Sequence, residues 1–264
     1  MLTKTEIQKL AINGKIDEYS LLREYFQILT LKSFYNQPGS ENTFFKGGTA
    51  IKLLFGSFRF SEDLDFTTGS PKSVIYNILE SSLKDTAEVT NSQAVIKEVE
   101  TVGNNFTFRL KFSGLPIASA IFIKTDFSTR ESVLDPVTSV LTTPLPVTPL
   151  PIIKHLSHKE ILSEKIRAIM HRQRGRDIFD LWFLLSKEVA LDWKFINKKA
   201  AYYKETLTKT VLLERLNIFT ETQVHRDLDK FLPQNYRKVN LDLVNKIKSL
   251  ISQGTWGTKT VETP

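Results

Sequence analysis

The period of the hydrophobic pattern changes along this chain, and each change marks an element. Residues 17–35 place Leu21, Leu22, Tyr25, Phe26 and Leu29 at spacings of three and four, which predicts an amphipathic helix. The turn-forming run Asn36-Gln37-Pro38-Gly39-Ser40 ends it. Phe44-Phe45 leads into Gly47-Gly48, and residues 49–55 read as a short helix with Gly56 near its end. A short strand is expected over Asp63–Phe66. Pro71, tolerated in a first helical turn, opens a helix to about Leu83. Three strand-like runs follow, Ala94–Thr101, Phe106–Phe112 and Ile117–Phe127, read as pairing mostly with their neighbours in sequence. Alternation is clearest in the second, where Phe106, Phe108, Leu110 and Phe112 share one face. The proline-rich, β-branched stretch 133–153 reads as an extended connector with an edge strand.

Beyond the connector the pattern turns helical. Ser157-His158-Lys159-Glu160 is a capping-box sequence ahead of an apolar-periodic run. Ile178–Leu185 predicts a second helix, with others around 194–218 and 240–252. The tail after Gly254 reads as frayed, and there are no internal repeats. The expected class is α+β: residues 1–150 form a sheet domain with N-terminal helices, and residues 151–264 a mainly helical one.

Composition narrows the functions. At 264 residues the chain has length for one large domain or two small ones. With 41% hydrophobic and 25% charged residues it is neither disordered nor fibrous. The absence of cysteine excludes disulfides, thiolate zinc sites and cysteine nucleophiles. No apolar run approaches the roughly 20 residues that span a bilayer, and residues 1–15 lack a signal-peptide core, so a cytoplasmic protein without a membrane partner is expected. The formal charge is +7, and residues 154–210 hold 13 basic against seven acidic side chains, so most of the excess lies there. Such a region suits a polyanion, or is simply a solvated basic face.

The segment 44–66, FFKGGTAIKLLFGSFRFSEDLDF, carries the chemistry. Gly47-Gly48 opens a helix, where backbone N–H groups can face an anion. Asp63 and Asp65 are two apart on a strand, hence on one face, with Leu64 and Phe66 on the other. Two carboxylates on one face call for a cation between them, and hard oxygen donors suit Mg²⁺, which shares its remaining positions with water and phosphate. Gly47, Gly48, Thr49 and Ser61 are then the nucleotide-binding candidates, and Asp63 and Asp65 the metal ligands. Asp126 ends a strand-like run and shares its face with Lys124. Arg59 reads either as a phosphate contact or as the partner of Glu62. Lys165 lies between Ile161 and Ile169 in an apolar helical stripe, so it snorkels, pairs with an acid or points into a cleft. Asp177 and Asp180 are three apart on the next helix, Asp177 being also a candidate cap. Arg172, Arg174 and Arg176 are candidate RNA-backbone contacts. The four histidines have no metal-ligand spacing.

GGTA…RFSEDLDF resembles the first motif of the DNA polymerase beta-type nucleotidyltransferases, and more narrowly that of the AbiEii/AbiGii toxin family. The segment 160–185, EILSEKIRAIMHRQRGRDIFDLWFLL, is similar to that family's later motif, a helical lysine followed by Arg-Asp-x-x-Asp-Leu. The resemblance implies a polymerase-beta-like sheet domain followed by a helical domain. It implies an Mg²⁺-dependent toxin of an abortive-infection or type IV toxin–antitoxin system. Such an enzyme moves NMP from NTP to the 3′ acceptor end of tRNA, blocking translation, and is countered by an AbiEi-like antitoxin. The implied catalytic set is Asp63, Asp65, Lys165, Asp180 and Asp126, with Asp126 as the candidate third metal ligand and Lys165 on the triphosphate. Transfer to a protein or small-molecule hydroxyl, or a non-catalytic RNA- or antitoxin-binding module, remain the alternatives.

Overall fold

The computed structural model describes residues 2–103, 105–237 and 242–253, so the tail expected after Gly254 lies outside the described residues. The chain divides into two units, residues 1–156 with 233–235, and residues 157–232 with 236–264.

The first unit opens with α1 (Lys4–Gly14) and α2 (Glu18–Asn36). The short helix α1 is not anticipated by the pattern. Its signal is a capping box in which the Thr3 hydroxyl accepts from the Glu6 N–H and the Glu6 carboxylate accepts from the Thr3 N–H. Asp17 caps α2 in the ordinary way, its carboxylate accepting from the Ser20 N–H at 2.8 Å. The strands are β1 (Thr43–Lys46), β2 (Asp63–Thr68), β3 (Gln93–Val102), β4 (Asn105–Ser113), β5 (Ile121–Ser128), β6 (Pro136–Val140) and β7 (Ile152–Leu156). Helix α3 (Gly47–Phe55) joins β1 to β2, and α4 (Lys72–Thr90) joins β2 to β3.

All seven strands form one sheet in the order β3-β4-β5-β2-β1-β7-β6. Neighbour pairing was expected, but two contacts are long-range and parallel: β2 with β5, and β1 with β7. Strand β6 takes the edge position expected for the proline-rich stretch, and β7, unread in the sequence, closes the same connector. The expected strand over Ile117–Phe127 begins later, at Ile121, and the helix expected to end near Leu83 continues to Thr90.

One face of the sheet is a phenylalanine layer against α2 and α4. Phe66 and Phe127 stack with centroids 4.8 Å apart, Phe34 of α2 stacks on Phe66 at 5.4 Å, and Phe26 of α2 meets Phe112 at 4.6 Å. Phe106, Phe108, Leu110 and Phe112 are all buried, as the alternation predicts. The opposite face of the same strands carries the charged positions, so the period of two sorts apolar packing from chemistry.

The second unit is helical: α5 (His158–His171), α6 (Gly175–Ser186), α7 (Trp193–Ala200), α8 (Lys209–Leu216), α9 (Glu221–Leu228) and α10 (Leu243–Gln253). The expected stretch 194–218 is two helices, and α9 went unread because its eight residues bury only Val224 and Leu228. The Ser157 hydroxyl caps α5 by accepting from the Glu160 N–H. Glu160 does not return the bond expected of a capping box; its carboxylate instead meets the buried Lys199 at 3.0 Å.

Truncating the stacked centre tests this core. Phe66→Ala is expected to destabilise the fold by about 3–5 kcal/mol, the usual range for a buried phenylalanine, measured by urea unfolding. A loss below about 1 kcal/mol would mean that the layer does not organise the sheet.

Candidate active site

Lys46 ends β1 extended, and Gly47 turns the chain into α3 with φ of +79°, a left-handed value that favours glycine. A second constraint acts at the same residue. A Cβ on Gly47 would overlap the Asp65 carboxylate oxygen and stand 2.8 Å from its Cγ. The Asp65 carboxylate therefore sits against the backbone at the start of α3. Beside Gly48, the space of the absent side chain is taken by the Arg59 guanidinium and approached by the Ser61 hydroxyl. Arg59 is buried, donating from Nη1 to the Phe60 carbonyl at 2.8 Å, while Glu62 takes Arg23 at 2.9 Å. The loop itself is held from α2, where the buried Gln27 amide donates to the Glu62 carbonyl at 2.9 Å and the Ser61 carbonyl at 3.3 Å.

Thr49 follows the glycine pair in α3. It is fully buried, and its hydroxyl donates to the Asp63 carbonyl. It ties α3 to the head of β2.

Sheet register assembles the acids. Asp65 lies opposite Lys46 on one side and Asp126 on the other, while Asp63 lies opposite Lys124. All of them occupy the face away from the phenylalanine layer. Lys124 Nζ lies 2.7 Å from Asp126, whose other oxygen accepts from the Thr107 hydroxyl. Burial pulls the Lys124 pKa down, but the hydrogen bond to Asp126 and the charges of Asp126, Asp63 and Asp65 outweigh it and raise it.

A divalent cation such as Mg²⁺ needs hard oxygen donors brought close together. Among the described residues, no three His, Cys, Asp or Glu side chains come together to hold a metal ion. Register sets Asp126 directly opposite Asp65, on the face that also carries Asp63. Asp126 has the right register, but its oxygens are engaged by Lys124 and Thr107. Asp63 and Asp65 still fit Mg²⁺ as hard oxygen donors, since this ion takes only one or two protein carboxylates and completes its shell with phosphate and water. Lys124 was legible as sharing the Asp126 face; Thr107 and Gln27 were missed. Their only signals are a polar position in an alternating strand and a buried amide in an apolar helix.

The second unit holds its own ionic cluster. Lys165 is buried in the α5 stripe, with Nζ 2.7 Å from Asp180 and 3.3 Å from Asp177. Arg172 clamps Asp177 with two bonds, 2.6 and 2.9 Å. Of the three readings open for Lys165, pairing with acids is the observed one. Arg174 is the helix cap residue, so Asp177 is not; it lies within the first turn of α6 and faces the cations. Burial alone would raise the Asp177 pKa, but the charges and hydrogen bonds of Lys165 and Arg172 lower it to about 2. Of the three arginines, Arg172 is thus spent on Asp177, Arg176 lies over the Phe231 ring at 4.5 Å, and Arg174 is exposed.

Two substitutions test these geometries. Gly47→Ala is expected to destabilise by about 2 kcal/mol, from left-handed strain plus overlap with Asp65. In an Asp65→Gly background the overlap part disappears, so urea unfolding should give a non-additive double-mutant cycle; strict additivity would refute the close approach. Asp177, with its pKa depressed from 3.8 to about 2, contributes stability that is fully present above its unfolded pKa. That contribution, about 2 kcal/mol, is lost as pH falls from about 4 toward 2. Asp177→Asn should flatten this acid limb in thermal unfolding at a series of pH values, and an unchanged limb would refute the pairing.

Comparison with known proteins places this geometry. The family model described as nucleotidyl transferase AbiEii toxin, type IV TA system, matches residues 29–248. No curated protein matches the chain. Among solved structures, the chain is similar to MenT4, a nucleotidyltransferase toxin from Mycobacterium tuberculosis, with a TM-score of 0.57 at 15% identity, covering 96% of this chain and 99% of that one. It is also similar to JHP933 from Helicobacter pylori, with a TM-score of 0.57 at 18% identity, covering 90% of this chain and 94% of that one. At these identities the neighbours show a shared fold, the mixed sheet with many helices of a nucleotidyltransferase toxin. The family match spans most of the chain, including both the Gly-Gly and Asp-x-Asp turn of the sheet and the lysine–aspartate cluster of the helices, and the protein belongs to the AbiEii family of nucleotidyltransferase toxins.

Proposed function

We propose that the protein transfers a nucleoside monophosphate from an NTP to the 3′ end of tRNA in an Mg²⁺-dependent reaction that blocks translation. One observation carries the reading: the Asp65 carboxylate is seated against Gly47 at the start of α3, with Asp63 beside it on the same face. That arrangement sets an anion-binding helix start next to a pair of hard oxygen donors.

The roles follow from the chemistry. Gly47 and Gly48 offer backbone N–H groups to the triphosphate, and the Ser61 hydroxyl stands beside Gly48. Asp63 and Asp65 would hold Mg²⁺, which when bound offsets triphosphate charge. Thr49 and Gln27 keep the glycine turn, the loop and β2 in one geometry. Lys124 and Thr107 hold Asp126 oriented beside Asp65, a positioning role. Lys165 stabilises the charge developing on the phosphates, with Asp180 orienting it; the family resemblance supports these two assignments, and their 2.7 Å contact is consistent with them. The acceptor hydroxyl attacks the α-phosphorus, the bond to the β-phosphate oxygen breaks, and pyrophosphate leaves. The toxin family implies an antitoxin, taken to be AbiEi-like and part of an abortive-infection system, and Arg174 is an exposed arginine of its unit that RNA could meet.

The test uses four separate α-labelled NTPs with Mg²⁺ and total tRNA, comparing wild type with Asp63→Ala on a denaturing gel. Label is expected in the tRNA band for the preferred nucleotide. In the variant it should fall by about 10³-fold, as several kcal/mol of lost transition-state stabilisation require. Label on protein or small molecules instead would replace the acceptor. Label nowhere would favour a nucleic-acid-binding module.

A further inference from the structure

The face of the sheet that carries Asp63 and Asp65 does not end at β5. Register continues it outward. Asp63 lies opposite Lys124, Lys124 opposite Arg109, and Arg109 opposite Lys97, one residue from each of β2, β5, β4 and β3. The next row along the same face is Phe122, Lys111 and Val95. Lys97, Arg109, Lys111, Lys124, Phe122 and Val95 are all exposed, Phe122 at 45% and Val95 at 59%.

The arrangement is unfavourable for the sheet itself. Like charges directly opposite on neighbouring strands are destabilising, and here two such pairs adjoin, Lys124 with Arg109 and Arg109 with Lys97. Lys124 is relieved by Asp126, but Lys97, Arg109 and Lys111 make no ion pair among the described residues. Protection of a sheet edge accounts for Lys97, since β3 is the outermost strand. It does not account for Arg109 and Lys111, because β4 is an interior strand. Phe122 is equally out of place as an exposed aromatic, and its backbone N–H is held by the Tyr19 hydroxyl at 3.4 Å. Unpaired cations in rows beside an exposed ring are what a single-stranded nucleic acid binds: phosphates on the cations, a base on the ring. At about 4.8 Å between strands, the row from Asp63 to Lys97 spans about 14 Å.

We propose that the β3–β4–β5 face, with Lys97, Arg109, Lys111 and Phe122, binds the unpaired end of the acceptor nucleic acid and leads it to Asp63 and Asp65. The inference rests on the nucleotidyltransferase reading, since it supplies that reaction's acceptor. It puts RNA contact on the sheet, whereas the sequence pointed to the arginines of residues 172–176.

The experiment measures anisotropy of a short fluorescein-labelled single-stranded RNA against the full chain, without NTP, across a range of salt. Lys97→Ala/Arg109→Ala/Lys111→Ala is expected to weaken binding at least tenfold and to lower the log–log salt slope by about 2, as three lost single-strand phosphate contacts require. Phe122→Ala should weaken it about fivefold or more with the slope unchanged. The triple variant should unfold at the wild-type temperature or above, because a like-charge row has been removed. Wild-type affinity and slope in the triple variant would overturn the proposal whatever the transfer assay gives. A blunt-ended RNA duplex bound as tightly as the single strand would overturn the assignment to an unpaired end. Weakened binding by the variants, together with a wild-type protein that transfers no nucleotide, would sustain the surface and sink the enzymatic reading.

Discussion

The close approach of the Asp65 carboxylate to the backbone of Gly47 is the constraint on which the first unit is organised. It demands glycine at the turn, because any side chain there would overlap the acid. It also demands that β1 and β2 be antiparallel neighbours with the right register, so that Asp65 stands opposite Lys46 and next to the turn. Thr49 and Gln27 brace the same geometry from α3 and α2 through backbone carbonyls of β2 and its preceding loop. A carboxylate in such a place would face repulsion from Asp63 and Asp126, and the cations Lys46 and Lys124 on the flanking strands share its face. The phenylalanine layer beneath supplies the rigidity, since the strand that displays Asp63 and Asp65 upward buries Leu64 and Phe66 downward.

The two units solve the problem of buried or crowded charge in different ways. In the sheet, acids and bases share one face in rows across the strands and stay partly or wholly solvated. In the helices, Lys165, Arg172, Asp177 and Asp180 form a cluster with balanced formal charge, two acids against two bases. Lys199 with Glu160 and Glu164 forms another, at 3.0 and 3.4 Å. Breaking one member of such a cluster strands the others without compensation. That cost explains why lysines can occupy apolar stripes here: each is bound to two carboxylates rather than reaching for solvent.

What could be read from the sequence follows the range of the interaction. The glycine pair, the Asp-x-Asp strand and the lysine in an apolar stripe are local patterns, and each occupies the element expected of it. The buried phenylalanines of β4 were equally plain from their period of two. The partnership of β2 with β5 was not, because it joins segments separated by α4, β3 and β4, and no local spacing encodes a register. The same reason hid the engagement of Asp126 by Thr107 and the basic row, which exists only once four strands are aligned. The bond made by the Thr49 hydroxyl was hidden for a related cause. A threonine at a helix start looks ready for a ligand until its hydroxyl is seen to be taken by a carbonyl from another strand.

The parallel pairing of β2 with β5 also has a temporal meaning. Asp63 and Asp65 leave the ribosome well before Asp126, Lys124 and the strand that aligns them. Contacts so distant in sequence form late, after the loop-closure entropy of the intervening helix and hairpin has been met. A chain interrupted before β5 therefore holds both glycines and both aspartates of the motif yet lacks Lys124 and Asp126, which stand opposite those aspartates. For a protein of a toxin family, synthesis of the motif is therefore not enough: β5 and, under the proposed function, Lys165 of α5 emerge only later.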